Sequence, residues 1–218
     1  NLSVFQRGGN YGLTLCMGVI RAMGMPETEI FKAVTTNAAV GKESNLGYIK
    51  RIPVTAYKTQ GKGGKGSASA KLVEDDFINQ VFIASTHDYV MFITNEGKGY
   101  WLKVHEIPEA GRTSRGSHIK GLLTVSPNEE ITTVVSLKEF SDTQYLLMVT
   151  AAGVVKKVQT SQFSNAKTRG IIAIRLDDGD KLVSALLTTG EDELVFISRR
   201  GQALRVNETS IRPMGRAG

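Results

Sequence analysis

Basic side chains recur at one position of a fourfold repeated pattern in this chain. Four short runs of β-forming residues each end in a basic residue followed by isoleucine or valine. Aligning the runs puts four basic residues in one column: Arg51, Lys103, Lys157 and Arg205. Lysine and arginine bind phosphate groups through charge and hydrogen bonds. One such side chain in every repeat predicts a positively charged stripe that faces a polyanion.

A second basic position accompanies a glycine that lies twelve residues after each run. These glycines are Gly64, Gly116, Gly170 and Gly218, and the basic residues beside them are Lys62, Arg115, Arg169 and Arg216. Stacked repeats would then carry two rows of positive charge along one edge. The alternative is that these residues are solvated strand ends without a partner.

Glycine and lysine are most concentrated in the segment Gln60-Gly61-Lys62-Gly63-Gly64-Lys65-Gly66. A glycine backbone can approach a phosphate closely with its N–H groups free, and the lysines add charge. A nucleotide-binding P-loop is excluded, because Thr59 replaces its first glycine and Gly66 replaces its serine or threonine. The segment therefore predicts either a phosphate contact or a flexible linker.

Catalytic and metal chemistry are not predicted for this chain. The acidic segments at 74–76, 128–130 and 177–180 lack the full pattern of a calcium loop and are interpreted as turns. His87, His105 and His118 lack metal-ligand spacing, and Cys16 has no neighbouring base in the sequence. We therefore expect no catalytic residue, metal or cofactor here, and we expect the tyrosines and Trp101 to pack.

The bulk composition agrees with a basic binding module. The 218 residues carry a net charge of +6 and are 41% hydrophobic, which is enough for one or two packed domains. A single cysteine and the lack of an apolar run of membrane-spanning length predict a cytoplasmic protein. A chain that starts at Asn1 and stops at Gly218, within a repeat, is expected to be a fragment.

The elements that position these residues follow a period set by Gly47, Gly97, Gly153 and Gly201. These glycines are 50, 56 and 48 residues apart, as in propeller blades, and the last three are each predicted to end a hairpin turn. Strands are predicted at 80–84, 90–94, 132–137, 145–150, 182–187 and 194–198. Residues 1–43 instead have apolar residues at helical spacing. The predicted fold is mostly β with a short α-helical N-terminal segment, which would leave the first repeat without a strand before Gly47.

From about residue 45 onward, the chain resembles the C-terminal domain of the DNA gyrase A subunit. The resemblance rests on residues 47–54 (GYIKRIPV), the glycine-rich segment 60–66, residues 100–110 (YWLKVHEIPEA) and residues 211–216 (IRPMGR). It implies a partial β-pinwheel, a propeller-like ring of four-stranded blades that exchange strands. The blades would begin near residues 45, 90, 145 and 194, with the last one incomplete.

The resemblance also implies that a basic rim wraps duplex DNA without reading its sequence. The full enzyme would supercoil DNA, with the rest of gyrase A and gyrase B as partners and with ATP and Mg²⁺ acting elsewhere. The implied DNA-binding residues are Gln60, Gly61, Lys62, Gly63, Gly64, Lys65, Gly66, Arg51, Lys103, Arg112, Arg115, Lys157, Lys167, Arg169, Arg205, Arg212 and Arg216.

The glycine-rich segment departs from the family's gyrase-A box, which reads Gln-Arg-Arg-Gly-Gly-Lys-Gly. Gly61 replaces the first arginine, and Lys62 replaces the second with a charge that lacks the bidentate fork. Two alternatives stay open: the C-terminal domain of a topoisomerase IV A subunit, where the box is degenerate or missing, and a propeller-like protein-binding module with an acidic partner.

The opening segment resembles a different family. Residues 31–39 are similar to the C-terminal helices of imidazolonepropionase-like amidohydrolases, although this stretch contains neither histidine nor aspartate to hold a metal. No catalysis is implied by that similarity, and a natural fusion or a misjoined gene would both account for it.

Overall fold

In the part of the chain that the structure describes, the regular secondary structure consists of β-strands and short 3₁₀ turns. The computed structural model describes residues 16–19, 34–37, 47–56, 62 and 80–216. Its strands are β1 (Cys16–Val19), β2 (Val34–Asn37), β3 (Tyr48–Ile49), β4 (Gln80–Phe82), β5 (Tyr89–Thr94), β6 (Lys98–Lys103), β7 (Ser117–His118), β8 (Ile131–Leu137), β9 (Tyr145–Thr150), β10 (Val155–Gln159), β11 (Ile171–Ile172), β12 (Leu182–Thr188), β13 (Glu193–Ile197) and β14 (Ala203–Asn207). Within these ranges, no helix is long and apolar enough to cross a bilayer.

Neighbouring repeats exchange strands. The four sheets are numbered by the repeat that supplies their central hairpin. In the second sheet, β5 and β6 form an antiparallel hairpin, β8 pairs with β5, and β11 pairs with β6. β11 belongs to the next repeat, because it follows the hairpin β9–β10 in the chain. The first sheet has the equivalent order β4-β2-β3-β7, with β7 contributed by the second repeat. The propeller-like, pinwheel architecture predicted from the sequence is thereby confirmed.

The third and fourth sheets have three strands each. The third has the order β10-β9-β12, and a parallel bridge between Lys157 and Pro213 links its edge to the fourth repeat. The fourth has the order β1-β13-β14. There β1 pairs antiparallel with β13 and takes the position that β8 has beside β5 in the second sheet.

The central strands are buried on both faces. Val90 and Phe92 of β5 pack against the first sheet, whereas Met91 and Ile93 pack against the third. β9 lies in the same way between the second and fourth sheets. Because successive side chains of a strand point to opposite faces, a strand between two cores must be apolar at every position. This explains why each strand is an apolar run up to its last residue, Thr94 or Thr150.

The strand predictions are confirmed, and the helical prediction is wrong where the structure describes the opening segment. The six predicted strands are β4, β5, β8, β9, β12 and β13, each within two residues of its predicted bounds. Cys16–Val19 and Val34–Asn37 are strands, and β2 gives the first repeat the strand before Gly47 that was expected to be missing. The other residues before 47 lie outside the described ranges. A short apolar run fits a strand as well as a helix by periodicity, and here the edges of β3 and β13 supply backbone partners.

The turns end on glycine as predicted, and one glycine elsewhere is under a stronger constraint. Gly97, Gly153 and Gly201 have φ angles of 76°, 90° and 79°. Gly170, just before β11, has a φ of 72° and a ψ of 161°, a region that is essentially restricted to glycine. A Cβ atom at Gly170 would overlap the ring of Tyr100, which is only 1% exposed.

We therefore expect Gly170→Ala to lower the free energy of unfolding by at least about 1–3 kcal/mol, measured by urea denaturation. Gly153→Ala is the matched control, because Gly153 also has a positive φ but a Cβ atom added there would meet no heavy atom within 4 Å. Gly153→Ala should lose only the part of the unfolding free energy that comes from the strained backbone angle. Equal losses in the two variants would contradict a steric role for Tyr100.

Carboxylates of the acidic segments anchor the hairpin turns. Glu129 is fully buried, and it accepts hydrogen bonds from Thr94 Oγ1 at 2.6 Å, Tyr100 Oη at 3.1 Å and Lys98 Nζ at 3.1 Å. In the next repeat, Asp180 accepts from the backbone N–H of Ala152 in the turn at 3.0 Å. The turn interpretation of segments 128–130 and 177–180 is confirmed, and segment 74–76 lies outside the described residues.

Glu129 makes the stability of the fold sensitive to acid. Burial alone would raise the pKa of Glu129, but hydrogen bonds from Thr94 and Ser126 and the charge of Lys98 outweigh burial and lower that pKa. A carboxyl group with a depressed folded-state pKa stabilises the fold above its unfolded pKa of about 4.3. That contribution is lost as the pH falls through the folded-state pKa.

We expect the difference in unfolding free energy between the wild type and Glu129→Gln to shrink as the pH falls from about 6 to about 3. Urea denaturation of both proteins at a series of pH values measures this difference. A difference that stays constant over the whole range would contradict the ionised, hydrogen-bonded state of Glu129.

Candidate nucleic-acid interface

The basic residues of the first column lie at corresponding strand ends, but several are engaged by other groups. Arg51 follows β3, its side chain is 22% exposed, and it pairs with Glu109 at 2.9 Å. Lys103 ends β6, where its Nζ lies 3.5 Å from the centre of the Tyr89 ring. It also donates to a backbone carbonyl at 2.7 Å. Arg51 therefore links the first repeat to the second, and Lys103 links β6 to β5 within its own hairpin, in addition to any external contact.

Lys157 is not on an exposed stripe, which corrects the position predicted for it. The residue is 3% exposed, and its Nζ lies 3.5 Å from a carboxylate oxygen of Glu208, which is itself fully buried. Nζ also donates to the backbone carbonyl of Glu208 at 3.1 Å. Arg205, in the fourth repeat, is exposed and pairs with Glu193. The reason for the difference is that Glu208 packs over the third sheet and has no counterpart over β14 among the described residues.

The second basic row is more accessible than the first. Lys62, Arg115 and Arg169 are exposed, and Arg216 is half-buried. The Arg115 guanidinium lies 3.9 Å from the centre of the Tyr48 ring, a cation–π contact that orients it without neutralising its charge. Arg115 and Arg169 stand on the loops that lead into the exchanged strands β7 and β11. The exposed positive charge thus lies where one repeat meets the next.

Backbone hydrogen bonds reveal which loop residues correspond between repeats. The N–H of Ala110 donates to the carbonyl of Arg51 at 3.1 Å, and the N–H of Met214 donates to the carbonyl of Lys157 at 2.8 Å. Arg112 and Arg216 lie two residues beyond these donors. Arg216 therefore corresponds to Arg112 in three dimensions, rather than to Arg115 as the spacing of the glycines indicated.

The other predicted ligands also lie on these loops. Lys167 and Arg212 are exposed and Arg112 is half-buried. Within residues 47–56, 62 and 80–216, neither these three nor Arg115 and Arg169 form a side-chain ion pair. Their charges are available to an anion. Of the glycine-rich segment only Lys62 is described, in an exposed turn, and Gln60, Gly61, Gly63, Gly64, Lys65 and Gly66 lie outside the described residues.

Two buried lysines that the sequence did not single out support the same loops. Lys50 is fully buried and Lys156 is 4% exposed. The Nζ of each donates a hydrogen bond to a backbone carbonyl of a loop in the following repeat. A signal for them exists in the aligned repeats. The position before the first column is lysine in repeats one and three, and leucine (Leu102 and Leu204) in repeats two and four.

The histidines and Trp101 have structural partners. His105 Nδ1 lies 3.1 Å from the carbonyl oxygen of Thr86, and His118 Nδ1 accepts from the N–H of Lys120 at 3.2 Å. Trp101 packs on Tyr89 and donates to a backbone carbonyl, as the packing prediction required. In the described part of the chain, no three His, Cys, Asp or Glu residues are grouped as a metal site would need.

Blades that exchange strands and present basic loops at their junctions define a propeller-like β-pinwheel domain. Residues 44–85, 88–138, 144–189 and 192–218 match the family described as DNA gyrase C-terminal domain, beta-propeller. The chain belongs to this family.

Named relatives agree with that assignment. The DNA gyrase A subunit of Treponema pallidum is 62% identical over 173 residues, which are 79% of this chain and 21% of that protein. The subunit of Clostridium acetobutylicum is 43% identical over 173 residues, with the same two shares. The chain thus spans about a fifth of the length of these relatives.

Solved structures share the fold. The C-terminal domain of a DNA topoisomerase IV has a TM-score of 0.68 and 25% identity, and the match covers 85% of this chain and 53% of that one. A DNA gyrase A C-terminal domain has a TM-score of 0.61 and 33% identity, with coverages of 78% and 55%.

Proposed function

We propose that this chain binds and wraps duplex DNA without sequence specificity, as the C-terminal domain of a gyrase A subunit. The observation that carries the proposal is the recurrence of exposed arginines, without ion pairs among the described residues, on loops between blades: Arg115 before β7 and Arg169 before β11. The net charge of +6 supports a polyanionic partner. Residues 44–218 would form the DNA-wrapping unit together with β1 and β2, which complete its fourth and first sheets.

The mechanism is electrostatic. Each lysine or arginine that neutralises a phosphate releases counterions, so the logarithm of affinity falls with the logarithm of salt concentration by about 0.9 per contact. Bending a site of about 20–30 base pairs by about 40–90° costs roughly 1–6 kcal/mol. At roughly tenfold in affinity per contact, a loop with one or two arginines offsets only the lower part of this range, so loops of several blades must act together on one DNA segment.

The contacts assigned to DNA are the accessible basic residues of the loops: Lys62, Arg112, Arg115, Lys167, Arg169, Arg212 and Arg216. Arg205 and the half-buried Arg51 and Lys103 lie at neighbouring strand ends and would contribute at the margin of the path. The glycine-rich segment 60–66 would extend the rim on the first repeat. Lys157 is left out because it is buried against Glu208.

In the parent enzyme, the wrapped segment would be presented for strand passage during ATP-dependent supercoiling in the cytoplasm. The remainder of gyrase A and the gyrase B subunit would be the partners there, and ATP and Mg²⁺ would act outside this chain. A topoisomerase IV A subunit is the alternative within the same fold, since a topoisomerase IV domain has a TM-score of 0.68 with this chain.

Gel-shift titration with duplexes from about 20 to about 150 base pairs, at several salt concentrations, tests the proposal. We expect affinity to rise with length until a duplex spans the rim and to fall steeply with salt. Lys62→Ala/Lys65→Ala should weaken only the longer duplexes if the glycine-rich segment takes part. Salt-dependent binding that ignores duplex length would instead favour an acidic protein partner for the basic loops.

A further inference from the structure

Lys50 binds the loop of the following repeat through hydrogen bonds to three backbone carbonyls. Its Nζ donates to the carbonyl oxygens of Gly111, Arg112 and Ser114 at 3.3, 2.7 and 2.8 Å. An ammonium group has three N–H donors, and the loop offers it three carbonyl acceptors. Arg115 follows immediately in the chain. A single buried side chain of repeat one therefore fixes the backbone that carries two basic side chains of repeat two.

Lys156 repeats this contact two blades later. Its Nζ donates to the carbonyl oxygen of Arg216 at 2.5 Å. Arg216 corresponds to Arg112, because the N–H groups of Met214 and Ala110 donate to the carbonyls of Lys157 and Arg51, which occupy the same column in the preceding repeats. The equivalent lysine-to-arginine-carbonyl contact thus occurs at two of the junctions. Because the contact recurs at corresponding positions, it is not explained by one long side chain that happens to fill a local gap.

The junction between repeats two and three is built differently. Leu102 takes the position of Lys50 and is 4% exposed in the hydrophobic core. The loop that follows holds itself instead, through a 3₁₀ turn at Lys167–Arg169 and a hydrogen bond from the N–H of Gly170 to the carbonyl of Ala166 at 2.9 Å. Arg169 is therefore a natural internal control, since its loop has no buried lysine beneath it among the described contacts.

We propose that Lys50 and Lys156 are positioning residues for DNA binding, each fixing the loop of the next repeat so that its arginines face the phosphate backbone. The inference rests on the proposed DNA-binding function. Without this anchor the loop no longer holds its arginines against the phosphates, so their phosphate contacts are lost together with the affinity and salt dependence that those contacts supply. Burial lowers the pKa of both lysines, which makes their carbonyl acceptors important to the charged form.

A double-mutant cycle on the full 218-residue chain tests the role of Lys50. Lys50→Met keeps the apolar stem and removes the ammonium. With a duplex of about 150 base pairs, we expect affinity at about 0.1 M salt to fall roughly tenfold per lost phosphate contact, and the salt slope to fall by about 0.9 per contact. Arg112→Ala/Arg115→Ala should do the same, and adding Lys50→Met to it should change nothing further. Added to Arg169→Ala, Lys50→Met should have its full effect.

The possible outcomes separate the two proposals. A wild-type chain that does not bind duplex DNA would reject the proposed function itself. Binding that is weakened by Arg112→Ala/Arg115→Ala, with a wild-type salt slope in Lys50→Met, would reject the positioning role alone, because a merely stabilising lysine changes the melting temperature but not the slope. If circular dichroism finds Lys50→Met unfolded, the same cycle with Lys156→Met and Arg216→Ala decides the question.

Discussion

Replacing Arg112, Arg115 and Arg169 together with alanine is expected to lower the affinity for a long duplex several hundredfold at about 0.1 M salt. The reason is that a salt slope of about −0.9 per phosphate corresponds to roughly a tenfold gain per contact at that concentration. The slope itself should fall by about 2.7 for three lost contacts. Filter binding or gel shift over a range of salt concentrations measures both quantities.

Lys157→Met is the matched control for this prediction. It also removes a positive charge, but from a residue that is 3% exposed and paired with Glu208. Measured at a temperature where the variant is folded, its salt slope should equal that of the wild type. A drop in slope per charge as large as in the arginine variants would mean that net charge, and not the loops, controls binding.

Glu208→Ala is expected to cause a large loss of stability in the last two repeats. The carboxylate accepts hydrogen bonds from Thr188 Oγ1 at 2.6 Å and from the N–H groups of Gly190 and Asp192 at 3.0 and 3.2 Å, and it pairs with Lys157. Removing it leaves the buried Lys157 ammonium without its counter-ion and the donors of Thr188, Gly190 and Asp192 without their acceptor. Breaking a buried pair costs about 3–5 kcal/mol. For a protein of this size that is a drop of roughly 10 °C in the melting temperature.

Glu193→Ala provides the comparison, because Glu193 pairs with Arg205 at the protein surface. Exposed ion pairs contribute about 0–1 kcal/mol, so its melting temperature should change little. Thermal unfolding followed by circular dichroism measures both variants. Similar losses for Glu193→Ala and Glu208→Ala would contradict the assignment of Lys157 to the interior.

The strands could be predicted because buried strands have a locally apolar composition. β5 and β9 lie between two cores, so every position before the final threonine is apolar, and each run stands out before a turn that ends in Gly97 or Gly153. The opening segment was mispredicted for a related reason. The backbone partner of β1 is β13, about 180 residues away in the chain, and no local pattern identifies such a partner.

The candidate site could be predicted only in part. Repeat spacing located the basic loops and the exposed Arg115 and Arg169, since loops between blades follow from the period. It could not tell that Lys157 is buried, because burial depends on Glu208 in the next repeat. Nor could it identify Lys50 as a buried donor to loop carbonyls, since the sequence alone predicts a surface charge for a lysine beside Arg51.

A change in DNA topology tests the central claim most directly. Relaxed closed-circular DNA is incubated with increasing amounts of the chain, treated with a type I topoisomerase and freed of protein, and its linking number is measured on a gel. Wrapping around the rim predicts a shift of one sign that grows with bound protein and disappears in the Arg112→Ala/Arg115→Ala/Arg169→Ala variant. Saturated binding with an unchanged linking number would contradict wrapping.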